Sequence, residues 1–356
     1  MDYELLMKRC IELAKNAYGC VSPNPLVGCV ILDDNGKIIS EGYHEKYGEF
    51  HAERNALLKL SPSDNPHTLV VNLEPCCHYG KTPPCTDIII EKGIKKAVIG
   101  MRDINPIISG NGIKKLKEAG IEVIENVLEK ECRELNEIFI KNMSEHKTFV
   151  AVKTATTIDG KIAAYNGSSK WITSELARNE VKRLRKIYDA ILTSSATVIA
   201  DNPTMEHNNK IVIDRNLQTD FEDANIYKSG QVLVFYDKNI ESERLKSVLR
   251  TVENKTNINL LPAETNSDKI DLCSVLDEIY KRGIMSVIVE AGGRLNGSVL
   301  RHTDKIYQFM APKVLGDNKG LSCFDFRTAE DISDAEVFKI ADIQKFEPDI
   351  LITYKK

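Results

Sequence analysis

The chain has 356 residues, of which 42% are hydrophobic and 28% charged, a composition typical of a globular protein long enough for two domains. No apolar run approaches the roughly 20 residues that cross a bilayer, and the first residues lack the basic-then-apolar order of a secretory signal, so we expect a cytoplasmic protein without membrane contact. Residues 1–146 carry 18 Lys and Arg against 22 Asp and Glu, and the remainder carries 30 against 30. Neither half has the positive charge that binding to a phosphate backbone requires, which argues against a nucleic-acid partner.

The first 146 residues predict helices that alternate with strands. Apolar residues recur at helical spacing up to Ala17, and Gly19 can end that helix. Asp34-Asn35-Gly36 then predicts the turn of a β-hairpin. The later elements are a helix from about His51, a strand at His67–Leu73, a helix after Pro84, a strand at Lys96–Gly100, a helix ending near Gly120, a strand at Ile121–Ile124 and a helix over Leu128–Asn142. This alternation indicates an α/β domain whose sheet is covered on both faces, which makes three layers.

The polar stretch Ser144–Lys147 predicts the joint between two domains, 1–146 and 147–356. A second α/β series follows it, again with strands and helices in turn. We expect strands at Phe149–Thr157, Ala190–Ser194, Lys210–Asp214, Val232–Tyr236, Ile258–Leu261 and Ser286–Glu290, a helix over Ser174–Lys186, and further strands in the tail around a turn at Glu347-Pro348-Asp349.

Nine cysteines need an explanation. Their number is odd and no export signal is visible, so a disulfide framework is not expected. Cys76, Cys77 and Cys85 form the one cluster in the sequence. The others stand in apolar surroundings, where cysteine usually behaves as a small buried hydrophobe: Cys10, Cys20, Cys29, Cys132, Cys273 and Cys323.

The cluster belongs to a pattern typical of catalytic zinc. His51 begins a predicted helix, Cys76 follows Pro75 at the end of a predicted strand, and Cys85 opens the next helix. One imidazole and two thiolates supply three protein ligands and leave a fourth position for water. Free N–H groups at the helix start favour the thiolate of Cys85. The sequence therefore predicts Zn²⁺ held by His51, Cys76 and Cys85.

Glu53 is the candidate general acid and base, because it lies two residues beyond a ligand at the same helix start. The order histidine, any residue, glutamate, then proline-cysteine and a second cysteine is that of zinc deaminases, although a longer loop here replaces their short gap between cysteines. Alternatives stay open: His51 at a helix end with free cysteines, a purely structural zinc, or Cys77 in place of Cys76. A deaminase of nucleic-acid bases shares the motif, but the acidic first domain counts against it.

Five segments resemble one known family. NPLVGCVI, HAERNA, LEPCCHYGKTPPC, GMRDINP and KWITS are similar to the bifunctional riboflavin-biosynthesis deaminase/reductase, and the resemblance runs from about residue 2 to the carboxyl terminus. It implies an N-terminal cytidine-deaminase-like domain followed by a dihydrofolate-reductase-like α/β domain. It also implies a small-molecule substrate, a diaminopyrimidinone ribosylamine phosphate that loses its 2-amino group as ammonia, and then NADPH-dependent reduction of the ribose to a ribityl chain. We also expect a homo-oligomer.

The resemblance assigns substrate contacts in the deaminase domain residue by residue. Asn24 and His44 match positions that line the pyrimidine pocket, and Asp103 and Asn105 match ribose-phosphate contacts. The cysteine loop adds His78, Lys81 and Thr82. For the two asparagines, each of which precedes a proline, a plain turn role is the alternative.

In the second domain, Gly292 and Gly293 follow an apolar strand and precede a helix, where glycine lets the backbone approach a phosphate; a plain turn is the alternative. The resemblance implies that the nicotinamide performs the chemistry while the protein positions it. It assigns cofactor contacts to Ala155, Trp171, Thr197, Asp201, Gly292, Gly293, Arg294, Leu295, Asn296, Gly297 and Ser298, and substrate contacts to Ser169, Arg185, Met205 and Glu290.

The second domain also departs from the family. Asn208 stands where an arginine grips the substrate phosphate, and Ser195-Ala196 replace a usual glycine. Loss of a guanidinium–phosphate pair removes about 1.5–3 kcal/mol of charge-assisted hydrogen bonding. The alternative expectation is therefore an active deaminase joined to a weakened reductase, or to a degenerate cofactor-binding module.

Overall fold

A computed structural model describes residues 1–80, 83–106, 108–266, 269–325 and 330–356. The chain forms two compact units, Met1–His146 and Lys147–Lys356. Among the described residues, no helix has both the length and the apolar character needed to cross a membrane.

The first unit contains five strands and six helices in its described part. In chain order they are α1 (Tyr3–Lys15), β1 (Gly28–Asp33), β2 (Ile38–Tyr43), α2 (Ala52–Leu58), β3 (Pro66–Leu73), α3 (Cys85–Glu91), β4 (Lys96–Met101), α4 (Asn111–Glu118), β5 (Glu122–Ile124), α5 (Glu129–Leu135) and α6 (Glu137–Glu145). The strands form one sheet in the order β2-β1-β3-β4-β5, in which β3, β4 and β5 are parallel and β1 is antiparallel to both its neighbours.

Glycines show that helices cover both faces of this sheet. A Cβ at Gly28 would lie 2.0 Å from the carbonyl oxygen of Cys10 in α1, and one at Gly42 would lie 2.5 Å from the nitrogen of Ala56 in α2. Gly42 pairs with Cys29, the neighbour of Gly28, and successive residues of a strand face opposite sides. Helices α1 and α2 therefore pack on opposite faces. The predicted three-layer α/β domain is confirmed.

One predicted element is wrong in detail. The sequence predicted a single helix over residues 128–142, but the structure has α5 and α6 with a break at Asn136. The backbone of Asn136 leaves helical geometry at φ −104° and ψ 20°, and its buried side chain bonds the main chain of Leu26. A hydrogen bond between residues 110 positions apart leaves no local pattern in the sequence, so the break could not be foreseen.

The second unit is built on a larger sheet. Its described elements are β6 (Phe149–Thr156), β7 (Lys161–Ala163), α7 (Glu175–Arg185), β8 (Ala190–Ser194), α8 (Ser195–Asp201), β9 (Asn209–Ile213), β10 (Gln231–Asp237), α9 (Ser242–Val252), β11 (Ile258–Ala263), β12 (Thr265–Asn266), β13 (Lys269–Ile270), α10 (Leu272–Lys281), β14 (Ser286–Val289), α11 (Gly293–Val299), β15 (Lys305–Met310), β16 (Leu321–Ser322), β17 (Lys339–Phe346) and β18 (Asp349–Lys355).

Nine of these strands form one sheet in the order β11-β10-β9-β8-β14-β6-β15-β18-β17. The pairs from β11 to β15 are parallel, and β18 and β17 add an antiparallel edge. The carboxyl ends of the seven parallel strands lie along one edge, where ligands of open α/β sheets usually bind. This arrangement confirms the predicted fold class, and the predicted strands agree with the observed ones to within two residues.

The cysteine expectation is partly wrong. Cys10, Cys29 and Cys132 are buried and Cys323 is half-buried, but Cys20 and Cys273 are exposed. Cys20 follows the end of α1 in a turn, and Cys273 lies in the first turn of α10. Both positions are chain connections or helix starts at the surface, although their sequence neighbours are apolar.

Candidate active sites

Three potential metal ligands of the first unit lie together. Nδ1 of His51 is 3.5 Å from Sγ of Cys76 and 3.5 Å from Sγ of Cys85. Each side chain stands where an element begins or ends: His51 caps α2, Cys76 follows β3, and Cys85 is the first residue of α3. Among the described residues, this is the one group of three or more such side chains close enough to share a metal ion, and Cys77 is not part of it.

The cluster fits zinc. A tetrahedral zinc with bonds of about 2.0 Å to nitrogen and 2.3 Å to sulfur separates the two ligand atoms by roughly 3.5 Å. The observed nitrogen–sulfur distances agree with that separation. The backbone N–H of Cys85 also donates to Sγ of Cys76 at 3.3 Å, a contact that stabilises a thiolate.

The two thiols shift each other's pKa in opposite directions. The adjacent Cys85 thiol lowers the pKa of Cys76, and His51 lowers it further. The same contact with Cys76 raises the pKa of Cys85, and burial and the charge of Glu53 add to that effect. A cation bound between them would favour the thiolate form of both.

Glu53 lies in the first turn of α2 and is only 3% exposed. Burial raises the pKa of its carboxyl group, and the nearby His51 partly opposes that rise. A carboxyl group of raised pKa takes up and releases a proton near neutral pH more readily than an exposed glutamate does.

The cluster opens into a cavity of about 290 Å³. Of the predicted substrate contacts, the cavity wall contains Asn24, His44, His78, Asp103 and Asn105. Lys81 and Thr82 lie outside the described residues. The structure thus brings five of the seven predicted deaminase contacts to one wall with His51, Glu53 and Cys76, while the roles of these residues stay predictions.

A hydrogen-bond chain fixes the orientation of Asn24. Nδ1 of His44 lies 3.0 Å from the carbonyl oxygen of Phe50, which can only accept, so Nδ1 carries the proton. Burial lowers the pKa of His44, and the neutral ring therefore accepts at Nε2 from the amide nitrogen of Asn24 at 3.1 Å. Asn24 retains its carbonyl oxygen and one N–H for a ligand.

The loop after β4 is anchored by Glu74, which sequence reasoning missed. Its buried carboxylate accepts from the backbone N–H groups of Asp103, Gly110 and Ile113 at 3.0–3.2 Å. Asp103 in turn accepts from the N–H of Asn105, and burial raises the pKa of Asp103 to about 6. An acidic residue at the end of an apolar strand, just before the cysteines, was the available signal for Glu74.

In the second unit, a buried charge cluster lies at the carboxyl edge of the sheet. Arg185 contacts both oxygens of Glu290, at 2.6 and 3.0 Å, and Nζ of Lys153 is 3.7 Å from the same carboxylate. Burial tends to raise the pKa of Glu290, but the two cations outweigh it and the pKa is lowered. Lys153 was missed, although a lysine inside the apolar strand β6 was a visible signal.

The glycines after β14 do not share one role. A Cβ at Gly293 would lie 2.1 Å from the carbonyl oxygen of Ser322, and one at Gly297 would lie 1.7 Å from that of Asp325. These two glycines admit a neighbouring chain segment, whereas a Cβ at Gly292 would meet open space. Leu295 and Asn296 are buried, and Arg294 and Ser298 are accessible. Gly292, Arg294 and Ser298 are thus the residues of the predicted stretch that a phosphate can reach.

The other predicted reductase residues lie in β6, in helices and in loops. Ala155 is in β6 and Thr197 in α8, where its N–H donates to Ser194; Asp201 ends α8 and is exposed. Ser169 is half-buried, and Met205 is buried at φ +43°. Trp171 is 64% exposed, with Arg178 stacked 4.5 Å above its ring. Asn208 is exposed in the connection that enters β9.

Comparison with known proteins identifies both units. Residues 1–101 match the cytidine and deoxycytidylate deaminase zinc-binding region, and residues 148–352 match the RibD C-terminal domain. Riboflavin biosynthesis protein RibD of Actinobacillus pleuropneumoniae is 38% identical over 99% of this chain and 94% of its own length. The protein of the same name from Escherichia coli (strain K12) is 34% identical over 99% of each chain.

Solved structures give the same result. A diaminohydroxyphosphoribosylaminopyrimidine deaminase/5-amino-6-(5-phosphoribosylamino)uracil reductase from Thermotoga maritima is 38% identical, with a TM-score of 0.85 over 99% of this chain and 98% of that one. RibD of Acinetobacter baumannii is 31% identical, with a TM-score of 0.82 over the same shares. A match across the whole second unit does not favour a degenerate reductase, despite Asn208. The chain belongs to the RibD family of riboflavin-biosynthesis enzymes, in which a zinc-binding deaminase domain precedes a reductase domain.

Proposed function

We propose that residues 1–146 remove the 2-amino group of a diaminopyrimidinone ribosylamine phosphate by hydrolysis, and that residues 147–356 reduce the ribose of the product with NADPH. The observation that carries the first half is the group of His51, Cys76 and Cys85 beside the buried Glu53 on one cavity wall. The second half is supported by family membership and by the charged cluster around Glu290.

In the deaminase half, His51, Cys76 and Cys85 hold the metal. Bound zinc supplies Lewis-acid activation of a water molecule. Glu53 would carry the protons of the reaction: it would take one hydrogen from the attacking water and pass it to the departing amino group, while the second water hydrogen ends on the ring nitrogen beside C2. The C2–N bond would break, ammonia would leave, and C2 would become a carbonyl carbon. Burial of Glu53 supports this role, because a carboxyl group shielded from bulk water keeps its proton for the leaving group.

Asn24 and His44 orient the ring. The carbonyl oxygen and free N–H of Asn24 can bond the N–H and carbonyl groups of a pyrimidinone edge, because His44 occupies the other amide hydrogen. Asn105, His78, Lys81 and Thr82 then bind the ribose phosphate. The Asp103 carboxylate, which holds the loop turn, faces the ribose hydroxyls.

In the reductase half, NADPH supplies hydride to C1 of the opened sugar. Thr197, Trp171 and the accessible part of the 292–298 stretch bind the cofactor. Arg185, Lys153 and Glu290 together carry two positive charges and one negative charge, so the cluster keeps an excess of hydrogen-bond donors. Such a surplus suits the oxygen-rich sugar phosphate, and it offers a cationic contact that does not depend on residue 208.

We also propose a cytoplasmic location and a homo-oligomeric assembly. Strand β17 has a hydrogen-bonded neighbour on one side, β18, and is exposed on both faces. Ile340 and Ile343 on this edge are 62% and 56% exposed. Exposed apolar side chains on an edge strand are often covered by another chain. Sedimentation of the purified protein should give at least twice the mass of one chain, and a monomer at micromolar concentration contradicts the proposal.

Substitution Glu53→Gln should lower the rate of ammonia release at least a hundredfold, because an amide cannot carry the proton between water and leaving group. Zinc content should stay at one ion per chain, since Glu53 is not a ligand in the proposal. Ammonia release and metal analysis on the same preparation check both statements. Ammonia release near the unsubstituted rate would remove Glu53 from proton transfer.

Substitution Cys85→Ser should lose most of the zinc, because a neutral hydroxyl group is a poor replacement for a thiolate ligand. The matched control is Cys77→Ser, which lies outside the cluster and should keep its zinc. Both proteins are measured by metal analysis after dialysis. If only the Cys77→Ser protein lost its zinc, Cys77 and not Cys85 would be the ligand.

Substitution Arg185→Lys should raise the KM for the deaminated intermediate about tenfold, because lysine cannot replace the two-point contact with Glu290. Arg183→Lys is the control on the same helix, because Arg183 is itself 55% exposed and pairs with Glu180 instead of Glu290. NADPH oxidation with the intermediate supplied directly reports the reductase, and ammonia release should be unchanged in both variants. Equal KM values for the two variants would place the substrate away from Arg185.

A further inference from the structure

Two buried asparagines hold the main chain of Leu26 in the deaminase unit. Asn136 accepts from the N–H of Leu26 at 2.8 Å and donates to its carbonyl oxygen at 3.1 Å. Asn72 donates to the same carbonyl oxygen at 2.9 Å and accepts from the N–H of Gly28 at 2.7 Å. The two amide side chains are 2% and 0% exposed, so these bonds form away from water.

The segment fixed in this way is one wall of the cavity. Asn24, Pro25 and Val27 line the cavity beside the metal ligands. The carbonyl oxygen of Val27 accepts from the N–H of His44 at 2.9 Å, and His44 fixes the amide of Asn24. A displacement of Leu26 therefore moves Asn24 and His44 together.

Asn136 also determines where a second wall stands. It occupies the break between α5 and α6, and Phe139, three residues further along, lines the same cavity. Residues three apart on a helix lie on the same side of it. One side chain thus links the segment that carries Asn24 to the helix that carries Phe139, and both line the same cavity.

We propose that Asn136 is a positioning residue of the deaminase, which fixes the distance between the Asn24 wall and Phe139 so that the pyrimidine ring is held between them. The inference rests on the proposed deaminase function and adds to it the residue that sets ring binding. The fold keeps the Asn72 contacts when Asn136 is changed, whereas the Leu26 N–H loses its partner. Asn136 does not touch the metal ligands, so its loss affects ring binding more than the chemical step.

The test uses the full-length zinc protein and compares KM with kcat for ammonia release. Asn136→Ala should raise KM about tenfold while kcat stays within about twofold and zinc stays at one ion per chain. Asn136→Asp keeps the acceptor for the Leu26 N–H but sets a carboxylate oxygen against the Leu26 carbonyl oxygen, so its KM should rise at least as far as that of the alanine variant. The control is Asn142→Ala, a buried amide on the same helix that does not line the cavity, and its KM should be unchanged.

A second measurement keeps the inference open to refutation if the alanine variant folds poorly. The KM for ammonia release is measured for Phe139→Ala, for Asn136→Asp and for the double variant. The fold increase in KM of the double variant should be well below the product of the two single increases. Multiplicative effects, or an Asn136→Ala protein with unchanged KM, would overturn the positioning role. An unsubstituted protein that binds zinc but releases no ammonia would instead contradict the proposed function itself.

Discussion

Two sulfur atoms, each 3.5 Å from the same imidazole nitrogen, are the constraint on which the deaminase unit depends. A second thiolate in this partly buried position is costly without a cation, as the opposed pKa shifts of Cys76 and Cys85 show. The three ligands come from three separate elements: the start of α2, the end of β3 and the start of α3. Each element packs in the apolar core, which holds the three side chains at fixed positions.

The same anchoring explains why the zinc site could be predicted from the sequence. His51, Cys76 and Cys85 stand at element ends that local patterns reveal, namely an amphipathic helix, an apolar strand and a proline before a helix. Parallel strands place their carboxyl ends along one edge, so residues at those ends meet without further information. The fold class and most strand limits followed from the alternation of helices and strands for the same reason.

The features that the sequence did not predict depend on contacts between residues far apart in the chain. The amide of Asn136, at the break between α5 and α6, pairs with Leu26, and Phe139 three residues further along lines the cavity. The glycines after β14 show a different limit, because their motif fits two roles and the cofactor role stays a prediction. Gly293 and Gly297 admit a neighbouring segment of chain, and their spacing alone does not distinguish packing against protein from packing against phosphate.

The two units use buried carboxylates in opposite ways, and the neighbours of each decide which. Glu53 is buried beside thiols, so burial prevails and its pKa is raised, which suits a group that must gain and lose a proton during each turnover. Glu290 is equally buried but lies against Arg185 and Lys153, so its pKa is lowered and it stays ionised. A permanently charged group cannot exchange protons near neutral pH, but it can hold two cations at fixed positions. The two pKa directions fit the proposed roles, proton transfer for Glu53 at the start of α2 and orientation for Glu290 directly after β14.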